Sequence, residues 1–256
     1  MLQLTAGQPC RTDELAETYR LLFAACDGVL RVELARRPMA GGNWRRADTL
    51  ACAAEEMVAA ESARITAEHG RTPREHVAAS RALHTYLWAA CLLISGPWYL
   101  EGRVPRLRAT DLWVDPSDGR LALSPGEWAP GGEAELRTAV AEHLGPVLAA
   151  FQPYVRRGPR ALWGMAADDL VSGIWYLGRL LGEEDRAVEA AEAVLPGGTP
   201  PFPGAAAFRR LTGTAGRTHW TRTRAGCCLY YAIRPDDACV TCPRTTDEER
   251  VRRLEA

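Results

Sequence analysis

Near its C-terminus this chain carries four cysteines within sixteen positions: Cys227, Cys228, Cys239 and Cys242. They form a vicinal pair, a spacer of ten residues, and a second pair with two residues between its members. The segment around them has too few apolar residues to form a core of its own. We therefore expect it to pack against the preceding chain and to be held in shape by a metal or metal cluster that the thiols bind.

The spacing favours a metal site over coincidence but does not choose the metal. Zinc sites typically use two separated cysteine pairs with a few residues inside each pair, which Cys239 and Cys242 satisfy. The vicinal pair Cys227 and Cys228 fits less easily, because adjacent side chains of an extended backbone point to opposite faces. Both can bind one site only where the chain bends, and Gly226 is the residue expected to bend it. The plant-type ferredoxin spacing is also absent. From the residues alone, zinc and iron-sulfur both remain open.

The other four cysteines have no partner at a ligand spacing. Cys10 lies in a polar terminus, whereas Cys26, Cys52 and Cys91 fall in segments predicted to be helical. We interpret each of them as a small buried or incidental residue.

Composition limits the classes of protein and partner. The 256 residues, 47% hydrophobic and 25% charged, are typical of a globular chain with one main core and a small appendage. The formal net charge of -1 hides a basic C-terminal part, in which residues 205–256 hold ten arginines against six acids. The overall balance and the lack of a recognition motif argue against nucleic acid as a partner. We interpret the arginines as a complement to negatively charged thiolates.

Neither the N-terminal residues nor the most apolar stretch predicts a membrane segment. The N-terminus lacks a basic start followed by an apolar run, so no secretory signal is predicted. The most apolar stretch, residues 83–100, is broken by polar residues and by Gly96-Pro97, and its continuous apolar run is far shorter than the roughly 20 residues of a membrane span. We therefore expect a cytoplasmic protein without an integral membrane segment. In that reducing compartment, clustered cysteines are more often ligands than disulfides.

Hydrophobic periodicity predicts a mainly α fold with a small β component (α+β). The segments predicted to be helical are residues 12–28, 48–69, 72–95, 133–151, 160–181 and 184–195, with a short terminal helix capped by Thr246. The third is expected to stop at Gly96-Pro97, and Gly145-Pro146 is expected to kink or split the fourth. A strand is predicted at residues 29–35, and the clearest β signal is a hairpin of residues 111–114 and 120–123.

The run of glycines and prolines at residues 196–204 is the best candidate for a linker. It divides the chain into a mainly helical body, residues 1–204, and a cysteine-bearing segment, residues 205–256. The body is expected to serve as a docking scaffold, and the C-terminal segment is expected to hold the metal.

The cysteine motif also resembles a known family. Gly226-Cys227-Cys228-Leu229-Tyr230-Tyr231, followed by Cys239-Val240-Thr241-Cys242-Pro243, is similar to the C-terminal signature of the FhuF-type ferric-siderophore reductases. Looser similarities lie in Arg81-Ala82-Leu83-His84, Asp111-Leu112-Trp113 and Leu162-Trp163-Gly164. Apart from this likeness, His84 sits among apolar residues and is interpreted as a core histidine.

The resemblance implies a [2Fe-2S] cluster on Cys227, Cys228, Cys239 and Cys242. It also implies the one-electron reduction of siderophore-bound iron(III), typically bound by hydroxamates, to iron(II) that is released in the cytoplasm. Near the cysteines, Trp220, Tyr230 and Tyr231 are candidates to offer apolar faces to the chelate, and Arg222 and Arg224 are candidates to meet its oxygens or the charge of the cluster.

The chain has no dinucleotide-binding fingerprint, so the electrons are expected from an external donor such as a ferredoxin or an NAD(P)H-dependent reductase. Two alternatives stay open. One is a zinc-stabilised four-cysteine binding protein. The other is an iron-sulfur electron carrier or sensor with a different acceptor.

Overall fold

The computed structural model describes residues 11–26, 28–35, 42–214 and 216–256. Cys10 lies outside the described residues. The fold is mainly helical with small sheets, as predicted. The helices of the described part are α1 (Arg11–Ala25), α2 (Ala54–His69), α3 (Glu75–Glu101), α4 (Glu133–Val155), α5 (Pro159–Leu180), α6 (Glu184–Val194) and α7 (Asp247–Leu254).

Helix α3 is the centre of the helical body, and α1, α2, α4 and α5 pack around it. It is apolar on nearly every side, which is the pattern of a helix buried in a core. The helix is long and apolar enough to cross a membrane, but 72% of its most apolar 18-residue stretch is buried inside the protein.

The prediction that α3 ends before Gly96-Pro97 is wrong. The helix continues to Glu101 and ends at Gly102, which adopts a left-handed conformation with φ 66°. A proline has no N–H to donate to the carbonyl four residues earlier, here that of Leu93. In this fold the Tyr19 hydroxyl of α1 donates to the Leu93 oxygen at 3.0 Å. The helix tolerates its proline because a neighbouring helix supplies the missing hydrogen bond.

Replacing Tyr19 with phenylalanine is therefore expected to lower the free energy of unfolding by about 1 to 3 kcal/mol, because the buried Leu93 carbonyl would lose its donor. Urea denaturation of Tyr19→Phe measures this. In a Pro97→Ala background the restored amide supplies a donor, so the same substitution should cost less. An equal cost in both backgrounds would show that the tyrosine does not compensate for the proline.

Other details of the helices also differ from prediction. A 3-10 turn at Ala47–Cys52 precedes α2, and α3 starts at Glu75 rather than beside Thr72. Helix α4 runs unbroken through Pro146, so the chain does not split there. The carbonyl that Pro146 leaves unpaired belongs to Glu142, and both residues are exposed, so water can hydrogen-bond to it.

The predicted hairpin is confirmed and belongs to a four-stranded sheet in the order β1-β5-β4-β2. Its strands β4 and β5 are antiparallel and pair Leu112 with Leu123. The predicted strand near residue 32 is also confirmed and runs parallel to β5. The strand bounds are β1 (Val32–Leu34), β2 (Arg45–Arg46), β3 (Val104–Pro105), β4 (Leu112–Val114), β5 (Leu121–Leu123) and β6 (Trp128–Ala129), and β3 pairs with β6.

A second hairpin, which the sequence analysis missed, leads into the cysteine segment. It consists of β7 (Phe208–Thr212) and β8 (Thr218–Arg222). Phe208 packs edge-to-face against Trp175 of α5, with ring centroids 5.4 Å apart. The preceding stretch is not an open tether either, because Phe202 is buried against Trp163. The division into residues 1–204 and 205–256 stays a prediction.

Candidate metal centre and adjoining cleft

All four C-terminal cysteines line one small pocket. Cys228 and Cys242 are buried, whereas Cys227 and Cys239 are partly exposed, and all four are free thiols. The other lining residues are Arg224, Gly226, Tyr230, Tyr231 and Pro243. The fold thus brings together the two cysteine pairs that the sequence separates.

The backbone bends at Ala225 and Gly226, just before the vicinal pair, as the sequence suggested. Beyond the pair, Leu229 adopts a left-handed conformation with φ 63°, an unfavourable one for a leucine, and its N–H donates to the Cys227 Sγ at 3.4 Å. Gly226 also allows close packing: a Cβ there would lie 3.0 Å from the Met165 side chain and 3.3 Å from an Asp168 oxygen.

The environment of the thiols favours a bound cation. Burial raises the pKa of Cys227, as do the neighbouring Cys228 and Cys242 thiols, although the Leu229 amide opposes the rise. Burial likewise raises the pKa of Cys239, against the lowering effect of Arg224. A raised pKa means that Cys227 and Cys239 resist ionisation unless a cation neutralises them, and a metal deprotonates its thiol ligands outright.

The chain that enters the pocket is anchored on Asp168, a buried carboxylate of α5. Asp168 Oδ1 accepts from the Arg222 guanidinium at 2.6 Å and from the Ala225 amide at 3.0 Å. Its Oδ2 accepts from the Gly226 amide at 2.6 Å. One side chain therefore fixes both the end of β8 and the two residues that precede the vicinal cysteines.

Its neighbour Asp169 links the pocket to α3. Asp169 Oδ1 lies 3.3 Å from the Arg224 guanidinium, and Oδ2 lies 2.9 Å from Nδ1 of His84. Burial alone would lower the pKa of Arg224, but the carboxylates of Asp169 and Asp168, together with the Cys239 and Cys228 thiols, raise it. A permanent positive charge thus lies beside the sulfurs. His84 is not a core histidine of the expected kind, because it also faces a solvent-open cleft.

The chain that leaves the pocket is anchored by α7. Thr246 caps this helix as predicted, accepting from the Glu249 amide at 3.3 Å. From inside the helix, the buried Arg250 donates to the carbonyls of Val240 at 2.9 Å and Cys242 at 2.8 Å. The second cysteine pair is therefore held by its backbone.

A cleft opens beside the cysteine pocket. Its inner part, about 440 Å³, is lined by His84, Asp169 and Arg224 and by Thr241, which lies between the second pair of cysteines. Its outer part, about 520 Å³, extends along α2 and α3 to the β4–β5 turn. Three residues of α3 line both parts: Arg81, Thr85 and Trp88. We call the two parts together the α3 cleft.

The predicted docking residues fall in different places. Tyr230 and Tyr231 line the cysteine pocket, and Arg224 lines both that pocket and the α3 cleft. Arg222 is only 1% exposed and is held by Asp168, a position from which it orients the segment. Trp220 of β8 lines neither the cysteine pocket nor the α3 cleft and donates to Asp185 of α6 at 2.6 Å. Their roles in binding a chelate stay predictions.

Sequence reasoning missed Asp168 and Asp169. A signal was present, because they are the only acidic residues between Glu142 and Glu183 and they interrupt an apolar helical run. Two adjacent carboxylates in a buried helix need cationic partners. Among the other cysteines, Cys26 and Cys91 are buried as predicted, and burial raises the pKa of Cys26 to about 11.

Comparison with known proteins identifies the cysteine segment. Residues 224–244 match the family model described as the FhuF 2Fe-2S C-terminal domain. No curated protein matches the chain. The match covers the cysteine motif and supports the FhuF-type resemblance and a [2Fe-2S] cluster as the cofactor.

The described residues fit this cofactor in their donor chemistry. Thiolates are the usual ligands of such clusters, and four thiols surround one pocket beside a buried guanidinium. A two-iron core divides four such ligands between its two metals.

Proposed function

We propose that this protein reduces siderophore-bound iron(III) to iron(II) by one-electron transfer, with the cluster held by Cys227, Cys228, Cys239 and Cys242. The observation that carries the proposal is that Arg224 lines both the cysteine pocket and the α3 cleft, and that Thr241, between Cys239 and Cys242, also lines the cleft. A chelate in the cleft lies next to the second cysteine pair. The electron therefore has a short path to the iron.

The chemistry needs no nucleophile or general acid. When bound, the [2Fe-2S] cluster supplies one electron at a time. Siderophores hold iron(III) through hard oxygen donors, which bind the softer iron(II) less well, so the added electron promotes release. An external donor then returns the electron, and a ferredoxin or an NAD(P)H-dependent reductase in the cytoplasm is the partner that we propose.

The residues of this chain hold and tune the site. Asp168 and Arg250 fix the two ends of the cysteine segment through its backbone. The Leu229 amide donates to the Cys227 sulfur, and such bonds raise the reduction potential of a cluster. Arg224 places a positive charge beside the thiols, which favours the more negative, reduced state.

The test uses anaerobically purified full-length protein. We expect two irons per chain, visible absorption that bleaches with dithionite, and faster reoxidation of the reduced protein when ferric siderophores are added. A colourless protein with one zinc per chain would refute the proposal in favour of the zinc-stabilised alternative. Reoxidation that no ferric siderophore accelerates would instead favour an electron carrier or sensor.

Replacing Arg224 with glutamine is expected to lower the midpoint potential of the cluster, because the reduced state loses a neighbouring positive charge. For a one-electron couple, a shift of about 59 mV corresponds to a tenfold change in the reduction equilibrium. Anaerobic potentiometric titration of Arg224→Gln measures the shift. The matched control is Arg210→Gln, in the β7–β8 hairpin that precedes Arg224, where the arginine is paired with the exposed Asp185. Equal potentials in the two variants would contradict the assignment.

A further inference from the structure

We propose that the α3 cleft selects ferric chelates with a net negative charge, such as those with catecholate or carboxylate donors, over neutral or cationic hydroxamate complexes. This inference rests on the proposed function and concerns the substrate class. It departs from the hydroxamates that the family resemblance implies. It follows from the charges, aromatic rings and unpaired donors of the cleft.

Arginines outnumber carboxylates among the side chains that line the cleft. Each of its three carboxylates has an arginine within ion-pair distance: Glu61 with Arg64 at 2.7 Å, Asp118 with Arg31 at 3.7 Å, and Asp169 with Arg224 at 3.3 Å. Five arginines line the cleft, namely Arg31, Arg64, Arg81, Arg179 and Arg224. Arg81 and Arg179 are left with no carboxylate of the cleft to neutralise them.

Arg81 lies where the two parts of the cleft meet and is close to the cysteine pocket. Its guanidinium lies 5.1 Å from the centre of the Tyr230 ring, and Tyr230 lines the cysteine pocket. Its Nε is buried without a hydrogen-bond partner, and in the described part of the chain no carboxylate lies within ion-pair distance of it. The buried Nε is out of reach of a ligand, but the outer N–H groups of the guanidinium form no hydrogen bond among the described residues, so an anionic oxygen in the cleft can pair with them.

Arg179 of α5 is the second arginine of the cleft that has no carboxylate partner within the cleft. Its guanidinium lies 5.5 Å from the centre of the Trp175 ring, and its side chain is 54% exposed. The nearest carboxylate, Glu184, is 3.8 Å away, outside the cleft, and that same Glu184 oxygen accepts from the Trp175 indole at 2.7 Å. The N–H groups of Arg179 therefore remain available to a ligand.

Aromatic side chains give the cleft a surface for a large chelate. Trp88 of α3 and Tyr176 of α5 pack edge-to-face, with ring centroids 5.5 Å apart, and Trp175 lies beside them. A planar guanidinium binds paired anionic oxygens through two parallel hydrogen bonds. Catecholate ligands are dianions, so three of them leave iron(III) strongly anionic. Hydroxamates are monoanions, and three of them leave it neutral.

The test measures binding without electron transfer. Gallium(III), which is not reduced under these conditions, replaces iron(III) in a tris-catecholate, a carboxylate-type complex, a neutral tris-hydroxamate and a tris-hydroxamate with a free amine. Binding to the cluster-loaded protein is followed by calorimetry at two salt concentrations. We expect both anionic complexes to bind roughly tenfold tighter than the neutral one or better, with an advantage that shrinks at high salt.

Variants assign the preference to the cleft. Arg179→Gln is expected to weaken the anionic complexes by roughly tenfold and to leave the neutral hydroxamate unchanged, because only a charged hydrogen bond is lost. Arg81→Gln should act in the same direction. Arg210→Gln removes the same charge outside the cleft and should change neither.

Equal or tighter binding of the hydroxamates would overturn the inference, as would an Arg179→Gln variant that weakens all complexes alike. Failure of the proposed function has a different signature. If no ferric chelate reoxidises the reduced protein while the anionic gallium complexes still bind preferentially, the charge selection stands and the reductase function falls.

Discussion

Asp168→Asn is expected to lower the free energy of unfolding by about 3 to 5 kcal/mol, the range for breaking a buried ion pair by removing one partner. Arg222 would stay buried with its charge uncompensated. The two oxygens of the carboxylate accept from three donors, whereas an asparagine has only one acceptor oxygen. The NH2 group of the asparagine would therefore face at least one N–H donor. Chemical denaturation of the purified variant measures the loss. We also expect poorer cluster loading, because the chain entering the pocket loses its anchor.

The control for this substitution is Asp185→Asn. Asp185 also pairs with an arginine of the hairpin, Arg210, at 2.9 Å, but its side chain is 72% exposed. Exposed ion pairs contribute about 1 kcal/mol or less. Equal stability of the two variants would show that the buried network does not hold the segment. The double variant Asp168→Asn with Arg222→Met removes the stranded charge and should recover part of the loss.

Cys242→Ala is expected to abolish cluster binding. Replacing a group that only supports a metal ligand typically costs about 10 to 100-fold in metal affinity, so losing a ligand should cost more. Iron analysis and visible absorption after anaerobic reconstitution measure the effect. Because the segment is held partly by its metal, limited proteolysis should also cut the region around residues 225–245 faster than in the parent protein.

The matched control is Cys52→Ala. Cys52 is exposed in a 3-10 turn outside the cysteine pocket, so its loss should change neither iron content nor colour. A Cys242→Ala protein that keeps two irons and an unaltered spectrum would show that the four-cysteine ligand set is wrong. Comparing the two variants therefore separates the loss of a cluster ligand from non-specific effects of losing any thiol.

Local pattern predicted most of the helices and the first hairpin because periodicity and turn residues act over short distances. Prediction failed where a residue distant in sequence determines the local structure. Helix α3 passes through Pro97 because Tyr19, far away in sequence, donates to the carbonyl that the proline leaves free. The β7–β8 hairpin was missed because its arginines hide the alternation, although one of them, Arg222, is buried.

The site was predicted in the same uneven way. The spacing of the cysteines identifies them as ligands, so their convergence on one pocket could be predicted without knowing the tertiary structure. The residues that position them are scattered over α5 and α7, and the cleft draws on α2, α3, α5 and the β4–β5 turn. Such groupings arise only from packing. The position of Asp168 and Asp169 in an apolar helix can be interpreted only once their buried arginine partners are known.

Helix α7 sets how the metal would be lost. Arg250 donates to the carbonyls on both sides of Thr241, so we expect detachment of this one short helix to loosen the second cysteine pair before the rest of the protein unfolds. Such local opening needs far less free energy than global unfolding. The residence time of the cofactor against chelators or oxygen should then follow the fraying of eight residues, and measurements of overall thermal stability would not report it.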